Sequence, residues 1–133
     1  MGITVDQEYT DERTCTFKER KYLVRDNGAV KRLPKPGRKI TENDNIWTFG
    51  KKDTAGYLAI AGIRIHLIVA KAFHGEKPQD DMVVDHKDTI KVNNRPSNLH
   101  YVTRFENLVY NPLTRGKLEH AVGLPMEKIR FYT

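Results

Sequence analysis

The sequence predicts an α+β fold, in which a small antiparallel sheet is covered by short helices. Short runs that alternate apolar and polar residues predict strands, whereas residues 66–73 follow a helical period that Gly75 closes. The first two strands are predicted at 22–25 and 29–33. They flank Asp26-Asn27-Gly28, which is typical of a tight hairpin because Asn and Gly accept positive φ.

Further strands are predicted after this hairpin. Apolar and polar residues alternate at 46–49 and 56–60, and Ala61-Gly62 indicates a tight connection to a strand at 63–65. Residues 1–20 are polar and show no sustained period, so we expect them to form a mobile or loosely docked arm.

The second half of the chain predicts a strand, a long loop and another strand. The compact apolar run at 82–84 leads directly into Asp85-His86. Residues 87–97 are polar and predict a loop, and the alternation returns at 99–102. Two ionisable groups at the end of an apolar strand suggest a functional site.

The composition describes one soluble, foldable domain. The chain has 133 residues, of which 38% are hydrophobic and 30% charged, and a mean hydropathy of −0.64. These values exclude a disordered or membrane-spanning chain. The single cysteine, Cys15, excludes an internal disulfide and a cysteine-cluster zinc site. The first residues lack the pattern of a secretory signal, so we expect a cytoplasmic location.

The charge distribution favours a polyanionic partner such as nucleic acid. The formal net charge is +6, yet residues 1–12 hold four acidic residues and no Lys or Arg. The remainder therefore holds 23 basic and 13 acidic residues, a net +10. The densest basic run is interrupted by prolines and predicts a loop, which either contacts the polyanion or is simply solvated; it consists of Lys31, Arg32, Lys35, Arg38 and Lys39.

A helix that follows the second strand completes a possible cation site. Thr103 and Glu106 form a capping box, which starts a helix that carries Asn107 in its second turn. An antiparallel strand pair would bring Asp85 near this helix, and both Asp85 and Asn107 offer oxygen ligands to a hard ion such as Mg²⁺. His86 would point away from Asp85 on a regular strand, leaving it available as a base. This is the arrangement of a ββα-metal site.

The same residues resemble the HNH endonucleases, and most closely the small phage and intron-homing branch of that family. The resemblance implies that Asp85 and Asn107 bind one divalent ion, Mg²⁺ or Mn²⁺, and that His86 is the general base. It also implies that Asn98 bonds the backbone across the long loop and so holds His86. The matching segments are 65–73, 84–88, 93–99 and 102–107, and the resemblance covers roughly residues 56–110.

The resemblance also divides the chain. We expect an N-terminal arm at 1–20, a β-hairpin module at 21–55, and an HNH nuclease core at 56–111. The tail at 112–133 either packs on the core or contacts DNA, because its sequence weakly suggests two short helices about a glycine turn. Leu67 stands where this branch more usually has arginine, and His74 replaces a common apolar residue.

The function expected from these features is divalent-metal-dependent hydrolysis of DNA phosphodiester bonds. His86 would activate water and one metal ion would stabilise the leaving group, in a bacterial cell or a phage-infected host. The basic charge is equally expected of a non-catalytic DNA-binding module on the same scaffold. An RNA-processing nuclease is a third class, without an aromatic-basic signature to support it. Six basic residues are predicted to contact double-stranded DNA: Arg64, Lys71, Lys87, Lys91, Arg95 and Arg104.

Other polar and aromatic residues receive structural interpretations. Asn98 is equally a simple turn residue after Pro96-Ser97. His66 is interpreted as a structural histidine at a strand-to-helix junction rather than a catalyst. Asp80, Asp81 and Asp88 are candidate outer ligands of the ion, but a solvated acidic loop is the preferred account of all three. His74, His100 and His120 receive no functional role, and Trp47, Tyr57, Phe73 and Phe105 are expected in the core.

Overall fold

A computed structural model describes residues 2–110, and these contain nine short strands and two helices. None of the helices in this part of the chain is long and apolar enough to cross a membrane. The strands are β1 (Glu12–Phe17), β2 (Arg20–Arg25), β3 (Val30–Arg32), β4 (Trp47–Thr48), β5 (Lys51–Lys52), β6 (Leu58–Ile60), β7 (Ile63–Arg64), β8 (Met82–His86) and β9 (Leu99–Thr103). The helices are α1 (Ile65–His74) and α2 (Arg104–Tyr110), and a single 3-10 turn covers Pro96–Asn98.

The predicted α+β class is confirmed, but the strands form three small antiparallel sheets rather than one. The first sheet has the order β1-β2-β3-β4, the second β5-β6-β7, and the third β8-β9. The predicted hairpin is β2-β3, and its turn closes when Asn27 Oδ1 accepts the N–H of Ala29 at 2.9 Å. Gly28 has φ +92, and a Cβ there would lie 3.2 Å from the Cβ of Asn94. The turn therefore requires glycine for its backbone and for its close approach to the later loop.

The N-terminal segment differs from the mobile or loosely docked arm that we expected. Residues 12–17 form β1, which pairs with β2 along its whole length, and Cys15 is buried against the core. Earlier residues are also held, because the buried side chains of Arg25 and Asn27 both bond the carbonyl oxygen of Val5. The sequence hides this strand because its exposed positions are all charged or polar, as an edge strand allows.

Helix α1 supplies the centre of the hydrophobic core. It begins directly after β7 and buries Ile65, Ile68, Val69 and Ala70. These side chains pack against residues from β2, β3 and β9, among them Val24, Val30 and Leu99. The helix ends as predicted at Gly75, whose N–H donates to the carbonyl oxygen of Lys71 at 3.1 Å. Each fully buried branched side chain of this kind contributes roughly 1.5–3 kcal/mol.

The third sheet and α2 form the predicted strand–loop–strand–helix unit. In the β8-β9 register, Asp85 lies opposite His100 and His86 lies opposite Leu99. Helix α2 packs on both strands, and its first turn is capped by Thr103, whose Oγ1 accepts the N–H of Glu106 at 3.1 Å. The predicted helix stop at Asn111-Pro112 and the tail at 112–133 lie outside the described residues.

Candidate functional site

Asp85 and His86 project from opposite faces of the end of β8. Residues that pair directly across an antiparallel ladder share a face, so Asp85 lies with His100 and His86 with Leu99. His100 Nε2 lies 2.8 Å from Asp85 Oδ2, and this contact fixes one oxygen of a half-buried carboxylate. His86 faces the core side and is only 6% exposed. The strand pleat thus separates the carboxylate from the imidazole.

A single buried hydrogen bond assigns the two ring nitrogens of His86. Its Nε2 lies 2.8 Å from Asn94 Oδ1. Since an amide oxygen only accepts, Nε2 carries the proton and donates, and Nδ1 keeps the lone pair. Among residues 2–108, the buried side-chain atoms without a partner are His66 Nδ1, Asn93 Oδ1 and Asn94 Nδ2. His86 Nδ1 is not one of them, and the described residues show no hydrogen bond to this basic atom.

Two further rings pack beside His86. The His66 ring centroid lies 4.9 Å from that of His86, and Tyr57 stacks on His66 at 5.0 Å and 29°. Burial, with smaller contributions from the nearby His86 and Arg64, lowers the pKa of His66 to about 3. His66 is therefore neutral at neutral pH, and places no charge beside His86. This neutrality agrees with the structural role expected for it.

Asn98 lies at the centre of the loop between the two strands. Its Oδ1 accepts the N–H of Asp88 at 3.1 Å, and its Nδ2 donates to Asp88 Oδ1 and to the carbonyl of Asn93, both at 2.9 Å. Its own carbonyl accepts the N–H of Lys87 at 2.8 Å. Burial alone would raise the pKa of Asp88, but hydrogen bonds from Asn93, Ile90 and Asn98 outweigh it and lower the pKa. The loop that carries Asn94 is therefore tied to the end of β8.

Asn107 lines a cavity that Asp85 does not line. This open cavity has a volume of about 510 Å³, and Arg64, His66 and Lys71 also line it. Across residues 2–108 there is no hydrogen bond between Asp85 and Asn107, and no cluster of three or more His, Cys, Asp and Glu side chains suited to a metal. The structure thus places both predicted ligands on the β8-β9-α2 unit, with no hydrogen bond between their side chains.

The donor chemistry of these two residues nevertheless fits a hard divalent cation. Such ions prefer carboxylate and amide oxygens, and Mg²⁺ retains several waters when it binds through one or two carboxylates. His100 holds Oδ2 of Asp85, as outer partners commonly hold a ligating carboxylate. The partners of Asp85 are thus compatible with a ligand role, which stays a proposal.

Comparisons with known proteins identify this unit. A family model described as HNH endonuclease matches residues 64–109, which include β8, β9, Asp85, His86 and Asn107. The chain carries an HNH-family domain. A comparison with curated proteins finds no match.

A solved structure also resembles the chain beyond the HNH domain. It is titled "DNA binding and cleavage by the HNH homing endonuclease I-HmuI". The TM-score is 0.50 at 28% sequence identity, over 77% of this chain. The chain spans 60% of the length of that structure's chain.

The six predicted DNA-contacting residues of the HNH domain occupy different surroundings. Four have intramolecular partners: Arg64 pairs with Asp53 at 2.9 Å, Lys71 with Glu76 at 3.1 Å, Arg95 with Glu8 at 3.2 Å, and Lys91 donates to the carbonyl of Ala55 at 2.8 Å. Lys87 and Arg104 are exposed.

Sequence reasoning missed three residues of the site. Asn94 holds His86, His100 holds Asp85 although it was assigned no role, and Tyr57 packs beside His66 rather than serving only as core. His100 could have been predicted from the strand pairing, because two antiparallel strands joined by a loop at 87–97 place it near Asp85. Nothing in the sequence distinguished Asn94 from its neighbour Asn93.

Proposed function

We propose that the chain is a divalent-metal-dependent endonuclease that hydrolyses phosphodiester bonds of double-stranded DNA. The observation that carries this proposal is the His86–Asn94 hydrogen bond, which engages Nε2 and leaves the lone pair of His86 on Nδ1 at the end of β8. The HNH-family domain supports it, as does the likeness to a structure whose title describes DNA binding and cleavage.

In this proposal, neutral His86 begins the reaction. Nδ1 takes a proton from a water molecule, whose oxygen attacks phosphorus in line while the bond to the 3′ oxygen breaks. The products are a 5′-phosphate and a 3′-hydroxyl, the latter protonated from solvent. Asn94 keeps the proton on Nε2, so the lone pair stays on Nδ1, the atom that would accept the proton from water.

The cation would be held by Asp85 and Asn107. When bound, a divalent ion stabilises negative charge that grows on the leaving oxygen. His100 would keep the Asp85 carboxylate in one orientation through their 2.8 Å contact. The basic residues around the cavity, Arg64 and Lys71, would hold phosphates and contribute affinity with little sequence readout.

The first experiment compares cleavage of matched duplex DNA, single-stranded DNA and RNA, with Mg²⁺, with Mn²⁺ and with chelator. We expect metal-dependent cleavage of duplex DNA. His86→Ala should lower that cleavage by about 10²-fold or more while DNA binding persists, which is the usual scale for removal of a general base. Wild-type rates in His86→Ala would refute the base assignment, and preferred cleavage of RNA would refute the substrate.

Metal binding is tested separately by calorimetry with Mn²⁺. Asp85→Ala and Asn107→Ala should each abolish metal-dependent activity and weaken Mn²⁺ binding, because two protein ligands leave no redundancy. Asp80→Ala removes an exposed acid two residues before β8 and serves as the matched control. Unchanged Mn²⁺ affinity in both ligand variants would place the metal elsewhere.

The net positive charge also favours a second candidate, a DNA-binding module that does not cut. Such a module would bind DNA equally well with and without chelator and would never produce cleaved ends. The intact Asp85, His86 and Asn107 favour the nuclease. The chelator arm of the first experiment separates the two.

A further inference from the structure

Tyr57 contacts four chemically important side chains although it lies outside residues 64–109, which match the family model. Its ring stacks on His66 at 5.0 Å and lies 5.9 Å from the ring of His86. Two cations also lie over it, with Arg64 Cζ 4.2 Å and Lys91 Nζ 4.9 Å from the ring centroid. One ring thus links the proposed base to two of the proposed phosphate-contacting residues.

The turn that carries Tyr57 holds both cations by a second contact. Asp53 Oδ2 accepts from Arg64 Nε at 2.9 Å, and the carbonyl of Ala55 accepts from Lys91 Nζ at 2.8 Å. Asp53 also closes the turn, because its Oδ1 accepts the N–H groups of Ala55 and Tyr57. Burial would raise the pKa of Asp53, but these hydrogen bonds and the Arg64 charge lower it, so the carboxylate remains ionised at neutral pH.

We propose that Tyr57 is a positioning residue, which holds Arg64 and Lys91 at a fixed separation from His86 so that phosphate binding aligns the DNA with the base. The proposal rests on the proposed nuclease function. Cations already held over an aromatic ring give up less conformational freedom when they bind phosphate. Because His86 also packs beside the Tyr57 ring, its distance from Arg64 and Lys91 is fixed. A small displacement of a reacting group can lower the rate of such a reaction substantially.

The kinetic test compares Tyr57→Leu with the conservative variant Tyr57→Phe. Tyr57→Leu removes the ring, so we expect kcat to fall about tenfold or more. Release of the held cations should also reduce the slope of log affinity against log salt, by about 0.9 for each phosphate that is no longer neutralised. Tyr57→Phe keeps the ring and should restore both quantities to near wild-type values. Equal decreases in both variants would overturn the positioning role.

Tyr9→Leu is the matched control for this test. Tyr9 also carries an arginine on its ring, with Arg25 Cζ 4.3 Å from the centroid, but it does not line the site cavity. We expect Tyr9→Leu to affect the free energy of unfolding without changing the salt slope. A decrease of the slope in Tyr9→Leu equal to that in Tyr57→Leu would show a general effect of folding, and would contradict the proposal.

Two measurements do not depend on cleavage. In NMR spectra of the wild-type protein, the Lys91 ε-methylene and Arg64 δ-methylene protons should be shifted upfield by the Tyr57 ring, and the His86 ¹⁵N shifts should report a proton on Nε2. Absence of the ring-current shifts would overturn the proposal even if Tyr57→Leu does not fold. If the wild-type protein never cuts DNA, the nuclease proposal fails, and the salt slope and these shifts still decide whether Tyr57 holds the cations.

Discussion

Among single residues, the His86–Asn94 pair determines which nitrogen can act as a base. His86 alone would exchange its proton between two nitrogens, and the carboxamide oxygen of Asn94, 2.8 Å from Nε2, removes this freedom. The turn at Gly28 also approaches Asn94 closely, because a Cβ at Gly28 would lie 3.2 Å from the Cβ of Asn94. The proposed base is therefore held by a residue eight positions away in sequence.

Asn94→Ala tests this support. We expect cleavage to fall about tenfold to a hundredfold, the usual scale for removing a partner that orients a site residue, while DNA affinity changes little. Asn94→Asp keeps an acceptor oxygen and should recover part of the activity. Single-turnover cleavage of duplex DNA measures both variants, and Asn93→Ala, which alters the adjacent amide, is the control. If Asn94→Ala cuts at the wild-type rate, Asn94 does not orient the base.

His66 predicts a dependence of stability on pH. Its folded-state pKa of about 3 lies below the ordinary value, so between these values the unfolded chain binds the proton more strongly and stability falls as the pH falls. Between pH 7 and pH 5 this effect amounts to about 2 kcal/mol, for an ordinary histidine pKa of about 6.5 in the unfolded chain. His66→Phe removes the titrating group and keeps a ring on Tyr57.

Urea unfolding of wild type and His66→Phe at both pH values measures this difference. The wild-type free energy of unfolding should decrease by about 2 kcal/mol more than that of His66→Phe on acidification. Equal decreases in the two proteins would show that His66 is not held neutral in the fold. Because stability is measured, the result does not depend on whether the protein cuts DNA.

Among the structural elements, the 87–98 loop is held by side-chain hydrogen bonds that converge on Asn98 and Asp88. Asn98 makes three side-chain hydrogen bonds, to the N–H and carboxylate of Asp88 and to the carbonyl of Asn93. The loop lacks regular structure up to the 3-10 turn at Pro96–Asn98. The Asn98 side chain therefore satisfies backbone groups that would pair with a neighbouring strand in a sheet.

We therefore expect Asn98→Ala to lower the free energy of unfolding by about 2–3 kcal/mol, because its partners are left without their hydrogen bonds. Asn43→Ala changes an exposed asparagine and is the control, with an expected effect within about 0.5 kcal/mol. Urea titration followed by Trp47 fluorescence gives both values. An Asn98→Ala protein as stable as the control would mean that other contacts order the loop.

The elements that the sequence predicted well are those with strong local signals. The β2-β3 hairpin follows from Asn27-Gly28, α1 from its period and Gly75, and the start of α2 from Thr103. Strand β1 was missed because only Cys15 and Phe17 among its residues face the core, which is too short an alternation to recognise. Its partner β2 decides its conformation, and that information is not local.

Across the whole molecule, the acidic N-terminal segment serves as a strap on the fold. Arg25 is 7% exposed and bonds the carbonyl of Val5 and the carboxylate of Asp6, and its guanidinium lies 3.7 Å from the ring centroid of Trp47. Glu8 pairs with Arg95 at 3.2 Å, across 87 residues of sequence. The acidic residues of the N-terminal segment thus form ion pairs with basic residues of the same molecule.

Deletion of residues 2–8 should lower the free energy of unfolding by about 2–4 kcal/mol, because it leaves Arg25 and Asn27 buried with fewer partners. Glu8→Gln removes only an exposed ion pair and should change stability by less than about 1 kcal/mol. Thermal unfolding of the two variants beside wild type measures the contrast. A deletion variant as stable as Glu8→Gln would contradict the strap.

The basic run at 31–39 shows how tertiary contacts change the meaning of a charge pattern. Arg32 Nε lies 2.8 Å from Asp44 Oδ1, in an ion pair buried from solvent, and Arg20 lies 3.6 Å from the same oxygen. Arg32 therefore stabilises the loop, whereas Lys35, Arg38 and Lys39 keep the exposure that a polyanion contact requires. The sequence left open whether this run contacts a polyanion or is simply solvated. Arg32 does neither, and both interpretations stay open for the three exposed residues.

Local patterns were sufficient to predict the α+β class, the hairpin, the end of α1, the start of α2, and the order of Asp85, His86, Asn98 and Asn107. These features follow from periodicity, turn chemistry and motif spacing, which act over a few residues. Tertiary packing was needed to show that Asn94 holds His86, that His100 holds Asp85, and that Tyr57 gathers Arg64 and Lys91. The first two contacts join residues 8 and 15 positions apart. Which residues meet in these contacts depends on how the sheets and loops pack, and no local sequence pattern determines that packing.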